Sequence, residues 1–297
     1  MSASDSRAKQ SAAGPNTADG LFAVRAALRD FGEATDDRLD LGEAALLLAA
    51  LARPGSTLEP YRRHLEKLVT EVTDYAGGNG GTAGVALRHE ALVQVLVKRH
   101  GYLGTADSFD DTEAASLMGV IDRRSGLPVA LGILFLHVAG RLGWPASGLD
   151  FPGRFLVRLD DDHGQRLIFD PFDAGRALAA REMREILKAL DGVASELSPE
   201  HYRTMTARQV LLRLQGNIKK MQLSARRWND AAEVLDATLL VAPGVAALWY
   251  ELGMLLAQLE RRAEAVEALE RYLAICGGDD SGYQASLLLQ RLKSELN

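Results

Sequence analysis

Histidine, cysteine and serine are the side chains of this sequence that can carry metal or nucleophilic chemistry. The chain has one cysteine, Cys276, so it can form neither an intramolecular disulfide nor a cysteine cluster for a metal. The six histidines, at positions 64, 89, 100, 137, 163 and 201, include no His-Glu-x-x-His motif and no pair spaced i, i+4. We therefore predict neither a metal site nor a bound cofactor.

A serine hydrolase is an alternative, with Ser125 as the nucleophile and His137 or His163 as the base. Ser125 precedes a long apolar segment, His137 lies well inside that segment, and His163 lies in the polar stretch 160–165. The sequence contains no Gly-x-Ser-x-Gly motif of the kind that exposes a catalytic serine. We favour a structural reading in which His137 is a core histidine with one hydrogen bond.

The apolar segment and the residues after it predict the elements that position these side chains. Residues 128–142 are nearly all apolar and are followed by glycine and proline, which predicts a buried helix beginning at Pro128. Residues 154–159 and 166–170 are typical of strands, and the polar stretch between them predicts a turn. The expected arrangement is a core helix followed by a β-hairpin.

Four motifs surround this arrangement: RHGYLG at 99–104, VIDRRSGLP at 120–128, FPGRFLVR at 151–158 and DPFDAG at 170–175. Together they resemble the transglutaminase-like family that includes the bacterial SirB-type proteins, over residues 21 to about 190. In active members of this class, a cysteine begins the helix, a histidine begins the next strand and an aspartate lies on the strand after it. The resemblance places these three positions on Pro128, Arg154 and Asp170.

The resemblance therefore implies a degenerate site with vestigial triad positions. Proline cannot supply the thiolate that acyl transfer needs, and arginine cannot act as a general base because it does not lose its proton. The family usually has Pro-Gly-His where this chain has Pro-Gly followed by Arg154. We expect Arg154 and Asp170 to form a structural ion pair, with Asp170 also accepting hydrogen bonds from backbone amides in the turn at Pro171. The alternative is an arginine fork that grips a carboxylate or phosphate.

The C-terminal third carries a separate signal, because residues 34 apart match as in tetratricopeptide repeats. The matched pairs are Leu214 with Leu248, Ala231 with Ala265, Leu235 with Leu269, and Leu239 with Leu273. They predict two helix-turn-helix units followed by a helix at 284–296. Such stacked helices leave a surface that holds a peptide or helix, although here they can also simply brace the first domain. Trp249 and Tyr250 are expected to pack within the repeats and are candidates for protein contacts.

We predict an α+β protein with a disordered tail (1–20), a transglutaminase-like domain (21–195) and a repeat domain (200–297). The middle domain divides into a helical subdomain (21–100) and a core of one helix and antiparallel strands (101–195). Forty acidic residues against 34 basic ones give a net charge of -6 without long runs of one sign, which argues against nucleic-acid and membrane partners. The absence of an apolar leader segment and the single cysteine favour the cytoplasm.

The functional expectation is a non-catalytic scaffold or regulatory protein that binds a protein or peptide through its helical repeats. Two alternatives remain open at this stage. One is an amide-bond hydrolase or transferase with a non-standard nucleophile, and the other is a small-anion sensor that uses Arg154.

Overall fold

The computed structural model of this protein describes residues 18–78, 83–276 and 282–296. Most of the predicted tail lies outside the described residues. The first helix nevertheless begins at Ala18, inside the range 1–20 that was assigned to the tail. Helical structure therefore starts ahead of its predicted beginning at residue 21.

The N-terminal region is helical, which confirms the predicted helical subdomain. Its helices are α1 (Ala18–Glu33), α2 (Leu41–Ala52), α3 (Glu59–Tyr75), α4 (Val85–Leu92), which continues as a π-helical segment over Val93–Arg99, and α5 (Leu117–Arg123). Local hydrogen bonding fixes the start of α2. The Asp40 carboxylate accepts a hydrogen bond from the Glu43 amide at 3.0 Å and so caps the first turn of α2.

The helix α6 (Pro128–Arg141) begins at the predicted proline and lies at the centre of the fold. Ten of its residues are buried, and α2, α3, α4, α5 and two strands pack around it. Its one buried polar side chain, His137, has Nδ1 3.6 Å from the Asp40 carboxylate and lowers the pKa of Asp40 to about 2. A Cβ on Gly42 would lie 2.3 Å from His137 Nδ1, so this position of α2 needs glycine. His137 therefore joins α6 to α2.

A five-stranded antiparallel sheet packs against α6. Its strands are β1 (Ala146–Phe151), β2 (Arg154–Asp160), β3 (Arg166–Asp170), β4 (Arg176–Ala177) and β5 (Thr204–Met205). Their order across the sheet is β4-β3-β2-β1-β5. The predicted hairpin of β2 and β3 is confirmed, whereas the other three strands were not predicted. β4 and β5 are too short to show a period, and β1 begins Ala-Ser-Gly, which is a weak strand signal.

The opposite face of the sheet is covered by α7 (Ala180–Asp191). Met183 and Leu187 of this helix join a small apolar cluster with Leu149, Phe151 and Leu156 of the sheet. The sheet is therefore enclosed between α6 on one side and α7 on the other.

The C-terminal region consists of stacked helices, as predicted. They are α8 (Ala207–Ser224), α9 (Trp228–Val241), α10 (Ala246–Gln258), α11 (Arg262–Cys276) and α12 (Gly282–Leu296). The matched residues Ala231 and Ala265 are both fully buried between helices, which explains why only a small side chain fits at this place in each repeat. Residues of α8 and α9 also enter the main core around α6, so the repeats are continuous with the rest of the protein.

Arg208 at the start of α8 ties three helices together. Its guanidinium donates to the carbonyl oxygens of Phe31 (3.2 Å) and Ala34 (2.6 Å) at the end of α1, to the carbonyl of Val241 at the end of α9, and to Asp36 at 2.8 Å. The last carbonyls of a helix lack partners within the helix, so one cation satisfies two helix ends. In the described parts of the chain, no helix is long and apolar enough to cross a membrane.

The contact between α1 and α9 predicts an unusual glycine requirement. A Cβ on Gly32 would lie 2.2 Å from the Leu240 carbonyl oxygen, so Gly32→Ala should lower the free energy of unfolding by about 1–3 kcal/mol despite the better helix propensity of alanine. Gly216→Ala in α8 is the control, because nothing lies within 4 Å of its Cβ position, and it should raise stability by about 0.5–1 kcal/mol. Urea denaturation of both variants measures this, and equal stabilisation would contradict the proposed contact.

Candidate functional site

The three residues that the resemblance assigned to the triad lie together in one cleft, which we call the triad cleft. Pro128 is at the first turn of α6, Arg154 is the first residue of β2 and Asp170 is the last residue of β3. They line a cavity of about 500 Å³. The two-residue turn between β1 and β2 places Arg154 at the cleft. In that turn Gly153 has a positive φ of 67°, which glycine adopts at little cost.

The sequence motifs meet around this cleft. The Leu103 amide donates to the Arg124 carbonyl at 3.1 Å, and the Gly104 amide donates to the Phe172 carbonyl at 3.1 Å. A Cβ on Gly104 would lie 2.1 Å from the Phe172 ring, so this approach needs glycine. The RHGYLG segment therefore connects the loop before α6 to the turn after β3.

Arg154 and Asp170 form an ion pair at the floor of the cleft. Arg154 Nη1 contacts Asp170 Oδ2, and Asp170 is 1% exposed while Arg154 is 36% exposed. The other carboxylate oxygen accepts hydrogen bonds from the amides of Phe172 at 2.9 Å and Asp173 at 3.4 Å. A buried carboxylate needs a cation and hydrogen-bond donors beside it, and Arg154 and the two amides supply them. Arg154 and Asp170 are therefore paired, and part of Arg154 faces solvent.

The outer wall of the cleft comes from α7 and the residues before it, which sequence reasoning missed. Glu182 and Glu185 line the cavity with Arg176. The Arg176 guanidinium donates to Asp173 at 2.6 Å and to Glu182 at 2.7 Å, and the bond to Asp173 raises the pKa of Arg176. The three-residue spacing of Glu182 and Glu185 indicates one face of a helix, but nothing in the sequence placed that face at the cleft.

Ser125 does not meet a histidine within the described residues. Its hydroxyl lies 3.0 Å from Thr105 Oγ1 and 3.3 Å from Ser108 Oγ, so its partners are hydroxyl groups. His137 is held by Asp40 in the core, and His163 lies in the exposed turn between β2 and β3. A serine nucleophile needs an adjacent base, and this geometry supplies none.

A second polar cluster, formed by His64, Tyr102 and Arg124, lies beside α3. His64 Nε2 is 2.7 Å from the Tyr102 hydroxyl and 2.8 Å from Arg124 Nη1, and Arg124 also contacts the Tyr102 hydroxyl. Burial, reinforced by the charge of Arg124, lowers the pKa of His64 to about 4, and burial raises the pKa of Tyr102 to about 12. At neutral pH His64 is therefore an uncharged acceptor and Tyr102 is an uncharged phenol.

The structure also places the two aromatic candidates of the repeat region. The Trp249 indole donates to the Pro243 carbonyl at 2.8 Å, and the Tyr250 ring packs on Tyr272 with centroids 5.1 Å apart. Both side chains are half-buried. No group of three or more His, Cys, Asp or Glu side chains suited to a metal ion occurs among the described residues.

Fold and cleft together define a transglutaminase-like core joined to helical repeats. The family profile of the transglutaminase-like superfamily matches residues 59–216, and a tetratricopeptide-repeat profile matches residues 218–293. Because the first profile spans more than half of the chain, the chain belongs to the transglutaminase-like superfamily. The predicted repeats are also confirmed.

Several curated relatives are similar over most of the chain. A UPF0162 protein of Xylella fastidiosa is 32% identical over 255 residues, which is 81% of this chain and 85% of that protein. A UPF0162 protein of Vibrio cholerae is 24% identical over 88% of this chain and 93% of its own length. Protein SirB1 of Salmonella typhimurium is 26% identical over 64% of this chain and 71% of its own length. The SirB-type resemblance is therefore confirmed.

Among solved structures, a crystal structure of menin matches 89% of this chain and 73% of its own chain. The identity is 10% and the TM-score is 0.39. Similarity at this level carries no argument about fold or function.

A double-mutant cycle tests the ion pair in the cleft. Arg154→Ala should lower the free energy of unfolding by about 2 kcal/mol, because it leaves the Asp170 carboxylate buried without its cation. Adding Asp170→Asn should recover about 1 kcal/mol or more of that loss, since the unpaired charge is removed. Arg166→Ala, which removes an exposed arginine paired with Asp160 at 3.2 Å, is the control and should change stability by less than about 0.5 kcal/mol. Additive effects of the cleft mutations would contradict the pairing.

The low pKa of His64 predicts a pH-dependent stability. The unfolded chain binds a proton on this histidine near its ordinary pKa of about 6.5, whereas the folded protein does so only near pH 4. The stabilisation is therefore complete above pH 6.5 and is lost as the pH falls from 6.5 to 4. His64→Gln should reduce the loss of stability between pH 7 and pH 5 by on the order of 1 kcal/mol, measured by urea denaturation. His163→Gln in the exposed turn is the control and should lose as much stability as the wild type between pH 7 and pH 5. Identical losses in all three proteins would contradict the low pKa of His64.

Proposed function

We propose that this protein is a non-catalytic scaffold or regulatory protein that holds a segment of a partner protein. The observation that carries the proposal is a groove of about 790 Å³ between α1 and the repeat helices α9, α10 and α11. Tetratricopeptide repeats leave surfaces of this kind because each helix pair buries only part of its apolar face. The compartment that we propose is the cytoplasm, since a chain with one cysteine suits a reducing environment.

The groove has an apolar floor and charged walls. Leu239 and Leu240 of α9, with Leu252 and Leu256 of α10, form the floor beside Trp249. The walls carry charges of both signs: Arg25, Arg29 and Glu33 on α1, Glu233 and Asp236 on α9, and Glu264, Glu267 and Arg271 on α11. This lining suits a peptide or helix with an apolar stripe and charged residues at its edges.

The N-terminal helix makes the groove deeper than the repeats alone would. Arg25 of α1 donates to Asp236 of α9 at 2.8 Å, and Gly32 lets the two backbones approach closely. Arg208 also holds the end of α1, because its guanidinium donates to the Ala34 carbonyl. The wall formed by α1 is therefore pre-organised, which reduces the entropy lost when a partner binds.

The cleft supports the non-catalytic part of the proposal. The nucleophile position is Pro128, and the base position holds Arg154 in an ion pair. The hydroxyl of Ser125 contacts the hydroxyls of Thr105 and Ser108, so its described hydrogen-bond partners include no base. The proposal therefore assigns binding to the groove and no turnover to the cleft.

The test compares two exposed apolar residues on different helices. Ile275 lines the groove and is 44% exposed, while Leu287 of α12 is 50% exposed and does not line it. Full-length wild type, Ile275→Glu and Leu287→Glu are used for affinity capture from native lysate, and the stoichiometric partner is then purified and titrated by calorimetry. We expect Ile275→Glu to weaken binding at least tenfold, because it places a charge against the apolar contact, and Leu287→Glu to leave binding unchanged.

Two results would count against the proposal. Loss of binding by Leu287→Glu alone would move the interface to another face of the repeats. Failure to obtain any stoichiometric partner, together with turnover of an amide substrate that Ser125→Ala abolishes, would favour the hydrolase instead.

A further inference from the structure

A second cavity, of about 540 Å³, lies on the other side of Arg154 from the triad cleft. We call it the α8 cavity, because Arg213, Asn217, Lys220 and Met221 of α8 form one of its walls. The first turn of α6 and the start of β2 form the rest. Phe109, Pro128, Gly153 and Arg154 line both cavities, so they form a ridge between them.

The two cavities differ in charge. The triad cleft is lined by three carboxylates, Asp170, Glu182 and Glu185, and by two arginines, Arg154 and Arg176. The α8 cavity is lined by three cationic side chains, Arg154, Arg213 and Lys220, and the described residues that line it include no aspartate or glutamate. The negative charge that balances these cations must therefore come from residues that do not line the cavity, or from a bound anion.

Two of the three cations already have an acidic partner. Arg154 pairs with Asp170, and Arg213 pairs with Asp150, which is 69% exposed. Arg213 also donates to the Arg154 carbonyl at 3.0 Å and lies over the Phe155 ring at 5.6 Å, so its position is fixed. Lys220 is exposed and forms no ion pair with any described residue. The cavity therefore has an excess of about one positive charge.

The end of α6 adds to this positive potential. The N-cap residue of α6 is Leu127, whose side chain cannot accept a hydrogen bond, so no side chain caps the first turn. A helix N-terminus carries a partial positive charge from its unpaired amides. Leu127, Pro128 and Val129 are among the residues that line the cavity, so this helix end lies beside it.

The remaining lining is apolar. Phe109, which is 53% exposed, and the half-buried Met221 supply apolar surface beside the cations. Ligand sites commonly combine such walls with a few polar groups that fix orientation. We propose that the α8 cavity binds the carboxylate of a ligand with an apolar body. A single carboxylate matches the one unpaired cation, whereas a doubly charged phosphate would exceed it.

The test uses 4-phenylbutyrate as the probe and 4-phenylbutanol as its uncharged analogue. Binding to the full-length protein is measured by calorimetry and by saturation-transfer NMR. We expect the carboxylate to bind saturably and at least tenfold more tightly than the alcohol, because only the acid forms a hydrogen-bonded ion pair with the Lys220 ammonium. Lys220→Gln should weaken binding of 4-phenylbutyrate about tenfold.

Lys219→Gln is the matched control. Lys219 is the neighbouring residue on α8, but its ammonium contacts Glu251 of α10, so the same change of charge there should leave binding unaltered. Ile275→Glu should also leave it unaltered, which separates this site from the groove. Equal binding of acid and alcohol, equal weakening by the two lysine variants, or no saturable binding of the acid would each overturn the proposal.

A pair of peptides distinguishes the source of the carboxylate. Acetyl-Ala-Leu-Phe with a free C-terminus is compared with its amide in the same assay. Tighter binding of the free-acid peptide than of 4-phenylbutyrate assigns the site to a protein C-terminus, and the reverse order assigns it to a small organic acid. Equal binding of the free acid and the amide would overturn recognition of a carboxylate.

Discussion

The structure is organised by the need to cover α6 on every side. A helix with ten buried residues has no face to present to water, so it must be enclosed by other elements. The N-terminal helices, α8 and the strands β1 and β2 supply that cover. Because the sheet must pack against α6, the starts of α6 and β2 and the end of β3 come together, and this creates the cleft.

The buried carboxylate of Asp170 determines the electrostatics of the cleft. A carboxylate with 1% exposure requires a positive or hydrogen-bonding partner in place at all times, and Arg154 supplies it together with two amides. A histidine in the same place would titrate near neutral pH, whereas arginine keeps its proton. Where the family resemblance expects a proton-transfer group, this chain therefore has a permanent charge. The Arg154–Asp170 pair is a fixed electrostatic feature between the triad cleft, which has side chains of both signs, and the cationic α8 cavity.

The repeat helices are not an appended module that could move freely. α8 contributes to the main core, and its Arg208 satisfies the carbonyl ends of both α1 and α9. The same helix carries Arg213 and Lys220 over the α8 cavity. A partner bound between α1 and α11 and a ligand bound beside α6 would therefore act on elements in direct contact. This gives the two proposed sites a physical connection through α8.

The sequence by itself determined the elements with strong local signals. The apolar run and Pro128 predicted α6, and alternation predicted β2 and β3, because each signal depends only on nearby residues. The spacing of 34 predicted the repeats around Ala231 and Ala265, because a repeated unit is written twice in the chain. The tertiary structure alone decided which distant side chains meet. Nothing local shows that α7 brings Glu182 to the cleft, that α1 forms a wall of the groove, or that Lys220 and Arg154 share a cavity. Those contacts depend on how helices and sheet pack around α6, and packing is a property of the whole chain.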